Sequence, residues 1–275
     1  MEAGAEQYNL AVTCLRRRTV RFHAAATSGK TKPSHVVCRT PDGSTVEVVA
    51  KFTAGCERAD TGLAMEVVAA CLAADLKLPV PKPYLLDIDR EWVRTVTDTS
   101  VQKMMLDSSP VAFGSTHVGP GYRAWSTGDR INDAILPDAL GTFVFDAMSA
   151  NPDRRLSNPN CLLKGNELRI FDHELTFLYK GIVGWQQPWK LGALASMASP
   201  GNHIFLPGLK GRMLDLAPVE RAWSDISDVR LVEYQDAVPS AWSTAHSAVE
   251  DALNLIRGVR DNIVAALAEV RRVLS

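Results

Sequence analysis

Three oxygen-bearing side chains in the segment Asn151–Glu174 have the types and the spacing of a metal site. Asp153 and Asn158 lie in a turn-rich loop, and Asp172 follows two short apolar runs within residues 161–171. A Lys-Gly-Asn sequence separates these runs, which predicts a β-hairpin. Because such a hairpin brings the start of its first strand beside the end of its second, Asn158 and Asp172 should lie close together. Carboxylate and amide oxygens at an open site suit Mg²⁺.

The order of these residues is more informative than any one of them. Taken singly, Asp153 and Asn158 are ordinary turn formers, and Asp172 is consistent with a simple strand end. An Asp, an Asn five residues later, two strands and a second Asp form the order that phosphotransferases of the protein-kinase type use. The order therefore predicts a site for phosphoryl transfer.

The same stretch resembles the catalytic loop and metal-binding segment of HipA-like kinases and, more distantly, of phosphatidylinositol 3/4-kinases. The resemblance is carried by Asp153-Arg154 through Asn158, by Asn-Cys-Leu-Leu at 160–163 and by Ile-Phe-Asp-His at 170–173. It implies that Asp153 accepts or orients the proton of a substrate hydroxyl, and that Asn158 and Asp172 hold Mg²⁺ on the phosphates of ATP. Arg154 would contact the γ-phosphate or, as we prefer, brace the loop.

The sequence departs from the ordinary protein-kinase pattern at two places. Asn151-Pro152 precedes Asp153 where His-Arg would stand, and Asp172 is followed by His-Glu instead of Phe-Gly. These departures argue against regulation by a typical activation loop.

A lysine and a glutamate upstream are the expected partners of this site. Residues 46–52 alternate as a strand that Lys51 nearly ends, and Thr61–Leu76 has helical spacing with prolines just beyond it. Glu66 lies on that helix among small and apolar residues, where an unpaired carboxylate is unfavourable. Lys51 either extends its ammonium to solvent or pairs with Glu66. The pair is the kinase device that positions ATP phosphates, and residues 63–70 and 78–81 also resemble HipA-like kinases.

Two further segments are candidates for binding ATP. Ser28-Gly29-Lys30-Thr31 looks like part of a P-loop, but the first Gly of that motif would fall at Ala24, and a strand follows where a helix is required. In a kinase-like lobe this stretch would be the flexible turn over the ATP phosphates. Ser28, Gly29 and Lys30 are therefore candidate phosphate-binding residues.

The adenine-binding hinge is expected in the loop-like segment Ser108–Tyr122. Backbone groups near Phe113, Ser115 and His117 would bind the base, although these residues are equally consistent with a plain loop. No side-chain pattern identifies such a hinge, because the backbone makes the contacts.

The remaining elements follow from hydrophobic periodicity. The sequence predicts an edge strand at 8–23, a hairpin from 36–39 and 46–52, further strands in 83–96, a helix at 131–150 and a last helix at about 244–274. The last helix is amphipathic, and packing on the large lobe is favoured over a coiled-coil dimer.

Composition limits the class of protein. The chain has 275 residues, 46% hydrophobic and 22% charged, with a formal net charge of −1, which is typical of a globular protein. Contact with nucleic acid is not expected from this charge. Five cysteines without a C-x-x-C pair indicate a reducing compartment, and neither a signal peptide nor a membrane span is recognisable. We therefore expect a cytoplasmic protein without membrane contact.

These patterns and the resemblance together predict an α+β, two-lobed protein-kinase-like fold. A small β-rich N-lobe would span residues 1–107, and a larger, mainly helical C-lobe residues 108–275. The expected activity is ATP- and Mg²⁺-dependent transfer of the γ-phosphate to a hydroxyl, on a protein serine or on another acceptor. A nucleotide-binding pseudokinase or regulatory module and a small-molecule kinase remain alternatives, and an antitoxin-like protein partner remains open.

Overall fold

The computed structural model describes residues 15–25, 33–40 and 42–275. In the described residues the strands are β1 Leu15–Ala25, β2 Ser34–Arg39, β3 Thr45–Lys51, β4 Pro83–Asp87, β5 Val111–Thr116, β6 Arg123–Ala124, β7 Cys161–Lys164 and β8 Glu167–Ile170. The helices are α1 Ala59–Asp75, α2 Arg90–Val93, α3 Thr99–Leu106, α4 Leu136–Met148, α5 Leu206–Leu209, α6 Ala217–Ser224, α7 Asp228–Asp236, α8 His246–Asp261 and α9 Ile263–Leu274.

Five strands near the start of the chain close into a barrel in the order β1-β2-β3-β5-β4. All neighbours in it are antiparallel except β1 and β4, which are parallel. Along β2, buried and partly exposed residues alternate, as expected for a strand with one face on a core. The apolar residues Val36, Val48, Ala50 and Phe52 are fully buried in that core. The predicted hairpin of β2 and β3 is present, and it ends at Lys51.

Helix α1 is buried almost from end to end. Twelve of its 17 residues are buried, and they run without a break from Gly62 to Ala73. A helix that is apolar on all sides needs cover on all sides, and α1 packs against β4 and β5 as well as α7 and α8. It ends in a Schellman motif, because Lys77 is left-handed (φ 61°) and Leu78 N donates to Ala73 O at 2.8 Å.

The segment Asn151–Glu174 lies around a second, three-stranded sheet in the order β6-β7-β8. Strands β7 and β8 form the predicted hairpin, with Cys161 opposite Ile170 and Lys164 opposite Glu167. The loop that contains Asp153 thus enters the hairpin, and Asp172 leaves it at the same end.

Four segments differ from the sequence prediction. Of the edge strand expected at 8–23, residues 8–14 lie outside the described residues, and the rest belongs to β1, which pairs with β2 on one side and with β4 on the other and is therefore not an edge. Residues 111–116, expected to be a loop, form β5 between β3 and β4, because long-range pairing overrides the weak strand propensity of Ala112 and Gly114. In 83–96 only β4 is a strand, since Asp89 accepts Glu91 N at 2.8 Å and starts α2. The last helix is divided at Asn262, whose Nδ2 donates to Gly258 O at 2.8 Å.

Helices α8 and α9 supply much of the larger core. Their buried apolar residues are Val249, Ala252, Leu253, Leu255, Ile256, Val259, Ile263, Ala266, Leu267, Val270, Val273 and Leu274. Because the chain's own core covers this apolar surface, the helices pack on the rest of the protein, as favoured over a coiled coil.

Candidate functional site

Lys51 is at the centre of a cluster of three carboxylates. It is the last residue of β3 and only 8% exposed. Its Nζ donates hydrogen bonds to Glu66 Oε1 and to Asp172 Oδ1. Glu174 Oε2 lies 3.6 Å from the same nitrogen, which is an ion-pair distance but too long for a hydrogen bond. Lys51 therefore pairs inside the protein instead of extending to solvent.

Glu66 holds Lys51 from the buried helix α1. Its second oxygen, Oε2, accepts the backbone N–H of His173 at 3.0 Å, so both carboxylate oxygens are used. Burial would raise the pKa of Glu66, but the Lys51 ammonium and the bonds from His173 outweigh burial and lower that pKa. Burial likewise opposes the charge of Lys51, but its carboxylate neighbours raise the Lys51 pKa. Both groups are ionised at neutral pH.

Asp172 and Glu174 form the open side of the cluster. Asp172 follows β8 in a left-handed conformation (φ 61°), which Asp tolerates better than most residues and which is common at functional sites. Glu174 Oε2 is buried and has no hydrogen-bond partner. Burial, helped by the charges of Asp172 and Glu66 and opposed by Lys51, raises the pKa of Glu174 to about 7. Of the three carboxylates, Asp172 and Glu174 have coordination capacity left.

The side chain of Asp153 is held by two asparagines. Asn158 Nδ2 donates to Asp153 Oδ2 at 2.7 Å, and Asn160 Nδ2 donates to the same oxygen at 3.1 Å. The backbone N–H of Asp153 donates to Asn151 Oδ1 at 3.1 Å. These bonds fix the carboxylate while Oδ1 accepts none of the bonds found in the described part of the chain. Oδ1 is therefore available to a substrate.

Arg154 braces the loop from inside the protein. It is 1% exposed, and its Nε donates to Asp146 Oδ2 at 2.6 Å. Its Nη1 donates to the backbone oxygen of Asn160 and to that of Phe171 at 3.4 Å. The guanidinium thus ties the loop of Asp153 to the end of β8, and the preferred bracing role fits its burial.

Asp146 on α4 is the acceptor for most of this bracing network. Besides Arg154, it receives Asn151 Nδ2 at 2.6 Å and His203 Nε2 at 3.0 Å. His203 Nδ1 accepts the backbone N–H of Phe205 at 3.1 Å, so Nε2 carries the ring proton. Burial would raise the pKa of Asp146, but the charge of Arg154 and the His203 bond hold it well below its usual range. Burial lowers the pKa of His203 and keeps the ring neutral.

The side chains of Asn158 and Asp172 have different hydrogen-bond partners, although the hairpin argument predicts that these two residues lie close together. Asn158 bonds to Asp153, and Asp172 bonds to Lys51. Among the described residues no hydrogen bond joins Asn158 to Asp172. Their segments are linked instead by Phe171 N, which donates to Asn160 O at 3.2 Å.

The residues predicted to bind ATP are not all in one part of the described structure. Ser28, Gly29 and Lys30 fall outside the described residues. Phe113 is 4% exposed on β5, directly opposite Lys51 in the strand register.

Ser115 and His117 lie at the far end of β5. Ser115 is opposite Val49 in the register. The backbone N–H of His117 donates to Glu47 O at 2.9 Å, and its ring contacts His35 edge-on. Residues 117–122 then link the barrel to the three-stranded sheet.

Sequence reasoning missed four residues of this site. Asn160 sits two positions after Asn158, and Glu174 two after Asp172, so both could have been found by testing polar neighbours of the chosen residues. Asp146 and His203 carry no such signal, because only folding brings them together.

The side chains present fit a magnesium ion. One oxygen each of Glu66, Asp172 and Glu174 lies within 4.8 Å of the others. Glu66 is already used twice, which leaves Asp172 and the unpartnered Oε2 of Glu174. The amide of Asn158 gives its hydrogen to Asp153 and retains its oxygen. This donor set is oxygen only, as Mg²⁺ prefers.

Comparisons with known proteins identify a family. The family model described as HipA-like kinase matches residues 20–269. None of the curated proteins compared with this chain is significantly similar to it. Among solved structures, the crystal structure of the Helicobacter pylori proinflammatory kinase CtkA is 12% identical, covers 86% of this chain and 94% of that chain, and has a TM-score of 0.43. Within the described ranges no helix is long and apolar enough to cross a membrane.

Proposed function

Because the chain belongs to the HipA-like kinase family, we propose that it uses ATP and Mg²⁺ to transfer the γ-phosphate to a hydroxyl group. The observation that carries this proposal is the Lys51–Glu66 pair with Asp172 bonded to the same ammonium. In phosphoryl transfer most of the catalysis is positioning and charge neutralisation. A fixed cation surrounded by partly unsatisfied carboxylates is suited to that task.

Each residue has a distinct part in the proposal. Lys51 neutralises the α- and β-phosphates, and Glu66 keeps the ammonium in place through a pair that burial strengthens. Asp172 and Asn158, with Glu174 as a further oxygen donor, would hold Mg²⁺. The ion would neutralise the charge that develops on the phosphate oxygens.

Asp153 acts on the acceptor. The acceptor oxygen forms a bond to the γ-phosphorus while the bond from that phosphorus to the bridging oxygen of ADP breaks. The hydroxyl proton passes to Asp153 Oδ1, since Oδ2 is occupied by Asn158 and Asn160. Arg154 positions this loop without touching the phosphates.

Several finer features belong to the same proposal. Residues 117–122 connect the barrel to the second sheet, and their backbone groups are proposed to bind adenine. The backbone of Phe113 and Ser115 lies within β5, which pairs with a strand on each side. A division into lobes at residues 1–107 and 108–275 stays a prediction, although the pairing of β5 with β3 and β4 ties residues 111–116 to the barrel. Cytoplasmic location and an antitoxin-like partner also remain predictions.

Label transfer from γ-labelled ATP tests the function. The protein is incubated with labelled ATP alone and in a cell lysate, with Mg²⁺ or with EDTA. We expect Mg²⁺-dependent labelling of a protein or of a small hydroxyl compound. Binding of ATP without any transfer would favour the nucleotide-binding alternative. If ATP does not bind at all, the proposed function is wrong.

A further inference from the structure

The linker of residues 117–122 ends on a tyrosine that is held on three sides. Tyr122 Oη donates a hydrogen bond to Glu167 Oε2 at 2.6 Å. The Lys164 ammonium lies 5.6 Å and the Arg169 guanidinium 5.7 Å from the centroid of the Tyr122 ring, which is the range of cation–π contacts. Lys164 belongs to β7, and Glu167 and Arg169 belong to β8. The linker is therefore attached to both strands of this hairpin, and we call these four residues the linker clamp.

The backbone before Tyr122 is held by the same lysine. Lys164 Nζ donates to the backbone oxygen of Pro120 at 3.3 Å. A Cβ atom added at Gly121 would lie 3.2 Å from Lys164 Cε, so the lysine stem packs closely against this glycine. Gly121 is left-handed (φ 90°), a conformation that glycine adopts without a steric cost. Lys164 thus contacts the linker through its stem, its ammonium and the tyrosine ring.

The other end of the linker is fixed to the barrel. The backbone N–H of His117 donates to Glu47 O at 2.9 Å. Between this bond and the clamp, the backbone groups of Val118 and Gly119 make no hydrogen bond with any other described residue. Gly119 is left-handed (φ 70°), and no atom lies within 4 Å of a Cβ added there. The linker therefore presents unpaired backbone groups between two fixed ends.

The clamp also joins the linker to the segment that carries Asp172. Lys164 is opposite Glu167 at the tip of the hairpin, and Cys161 is opposite Ile170 at its other end. Asp172 follows Ile170 by two residues. Because the register of the hairpin is continuous between its two ends, the clamp at the tip fixes the position of the linker relative to Asp172.

We propose that the linker clamp positions the linker backbone for the base of the bound nucleotide, with Tyr122 as its central positioning residue. This inference rests on the proposed function, in which backbone groups of residues 117–122 bind adenine, and it adds the side chains that hold those groups in place. Without the clamp, the free groups of Val118 and Gly119 would have to be ordered each time a nucleotide binds, which reduces affinity. The clamp acts on the base, whereas Lys51 acts on the phosphates.

Binding of Mg·ATP and of Mg·tripolyphosphate, which carries three linked phosphates but no base, separates these two ends of the nucleotide. Titration calorimetry measures both ligands on each protein. Tyr122→Phe removes only the bond to Glu167 and should raise the Kd of ATP about 5-fold. Tyr122→Leu also removes the aromatic ring and should raise that Kd about 10-fold or more. The Kd of tripolyphosphate should equal the wild-type value in both variants.

Tyr179→Phe is the matched control. It removes a tyrosine hydroxyl that donates to Asp251 O at 3.2 Å, away from the linker, and it should bind both ligands as wild type does. Transfer kinetics give a second readout, in which the KM for ATP should rise in the Tyr122 variants by the same factor as the Kd while kcat at saturating ATP stays unchanged. Thermal unfolding of each variant accompanies these measurements.

Three results would overturn this inference while leaving kinase activity intact. They are equal ATP affinity in wild type and Tyr122→Leu, an equal loss of affinity for ATP and for tripolyphosphate, and unfolding of Tyr122→Phe, which would show that the tyrosine is structural. A wild-type protein that does not bind ATP is a different result, because it contradicts the proposed function itself.

Discussion

Two buried clusters of charge in this protein contain the same kinds of side chain but differ in how completely they are satisfied. In one, Asp146 receives Arg154, Asn151 and His203, and its side chain has no exposed surface. In the other, Lys51 is shared by carboxylates that are 2%, 26% and 17% exposed, and one oxygen of Glu174 has no partner.

This difference indicates that the Asp146 cluster stabilises the fold, whereas the Lys51 cluster is free to bind a ligand. A buried network with every group paired makes the loop rigid and leaves nothing for a ligand. A cluster with three carboxylates around one ammonium carries excess negative charge and free oxygens, which a metal–nucleotide complex can use. We therefore expect changes in the Asp146 cluster to affect folding first, and changes in the Lys51 cluster to affect turnover first.

The largest effect on activity is expected from Asp172→Ala. The rate of phosphoryl transfer should fall about 10³-fold, because the site loses a proposed ligand of the Mg²⁺ that would neutralise the phosphate charge. The free energy of unfolding should change by less than about 1 kcal/mol, since Lys51 keeps Glu66 as its partner. Transfer kinetics and urea unfolding measure the two quantities. Asp107→Ala, in an exposed pair with Lys103, is the control. A variant that unfolds would show that Asp172 is structural.

The largest effect on stability is expected from Asp146→Asn. The change leaves the buried Arg154 without a counter-charge, which costs about 3–5 kcal/mol of unfolding free energy. Because the folded pKa of Asp146 lies below its ordinary value of 3.8, its contribution is complete above that pH and is lost as the pH falls further. The stability difference between wild type and variant should therefore shrink in acid.

Urea unfolding at neutral pH and near pH 3 checks this prediction. Asp133→Asn is the control, since that carboxylate is 96% exposed and pairs with Arg212 at the surface. The control should change stability by less than about 1 kcal/mol. An Asp146→Asn variant as stable as the control would contradict the bracing role.

The smallest effect is expected from Glu174→Gln in the absence of nucleotide. Glu174 has a folded pKa of about 7 against an ordinary value of 4.5, so the folded protein binds more protons between these values. Stability from this group thus falls as the pH rises from about 4.5 to about 7 and then levels off. Relative to the variant, wild type should have a lower melting temperature at pH 8 than at pH 5. A pH-independent difference would show that Lys51 already neutralises Glu174.

Local signals explain what the sequence predicted well. Alternation located Lys51 at the end of a strand, and helical spacing located Glu66 on a buried helix. The resemblance to HipA-like kinases is confirmed by the family model over residues 20–269. These features depend on neighbours within one or two elements, so a single sequence contains them.

The features that the sequence did not predict depend on contacts between residues far apart in the chain. Strand β5 is rich in small and polar residues and becomes a strand only between β3 and β4. Asp146 and His203 are 57 positions apart and meet only around Arg154. Lys51 and Glu66 could be paired from the sequence because a resemblance to a known family pointed to them, whereas no sequence pattern joins Asp146 to Arg154 and His203 before the packing of the helices is known.

The most direct test of the account is the transfer rate of Asp153→Asn. The substitution keeps the shape of the side chain and an oxygen for Asn158 and Asn160, but it removes the group that accepts the proton. We predict a loss of about 10²–10⁴-fold in kcat, with unchanged affinity for Mg·ATP and unchanged thermal stability. A variant that transfers phosphate at the wild-type rate would contradict the assignment of Asp153 and, with it, the catalytic site described around the segment from Asn151 to Glu174.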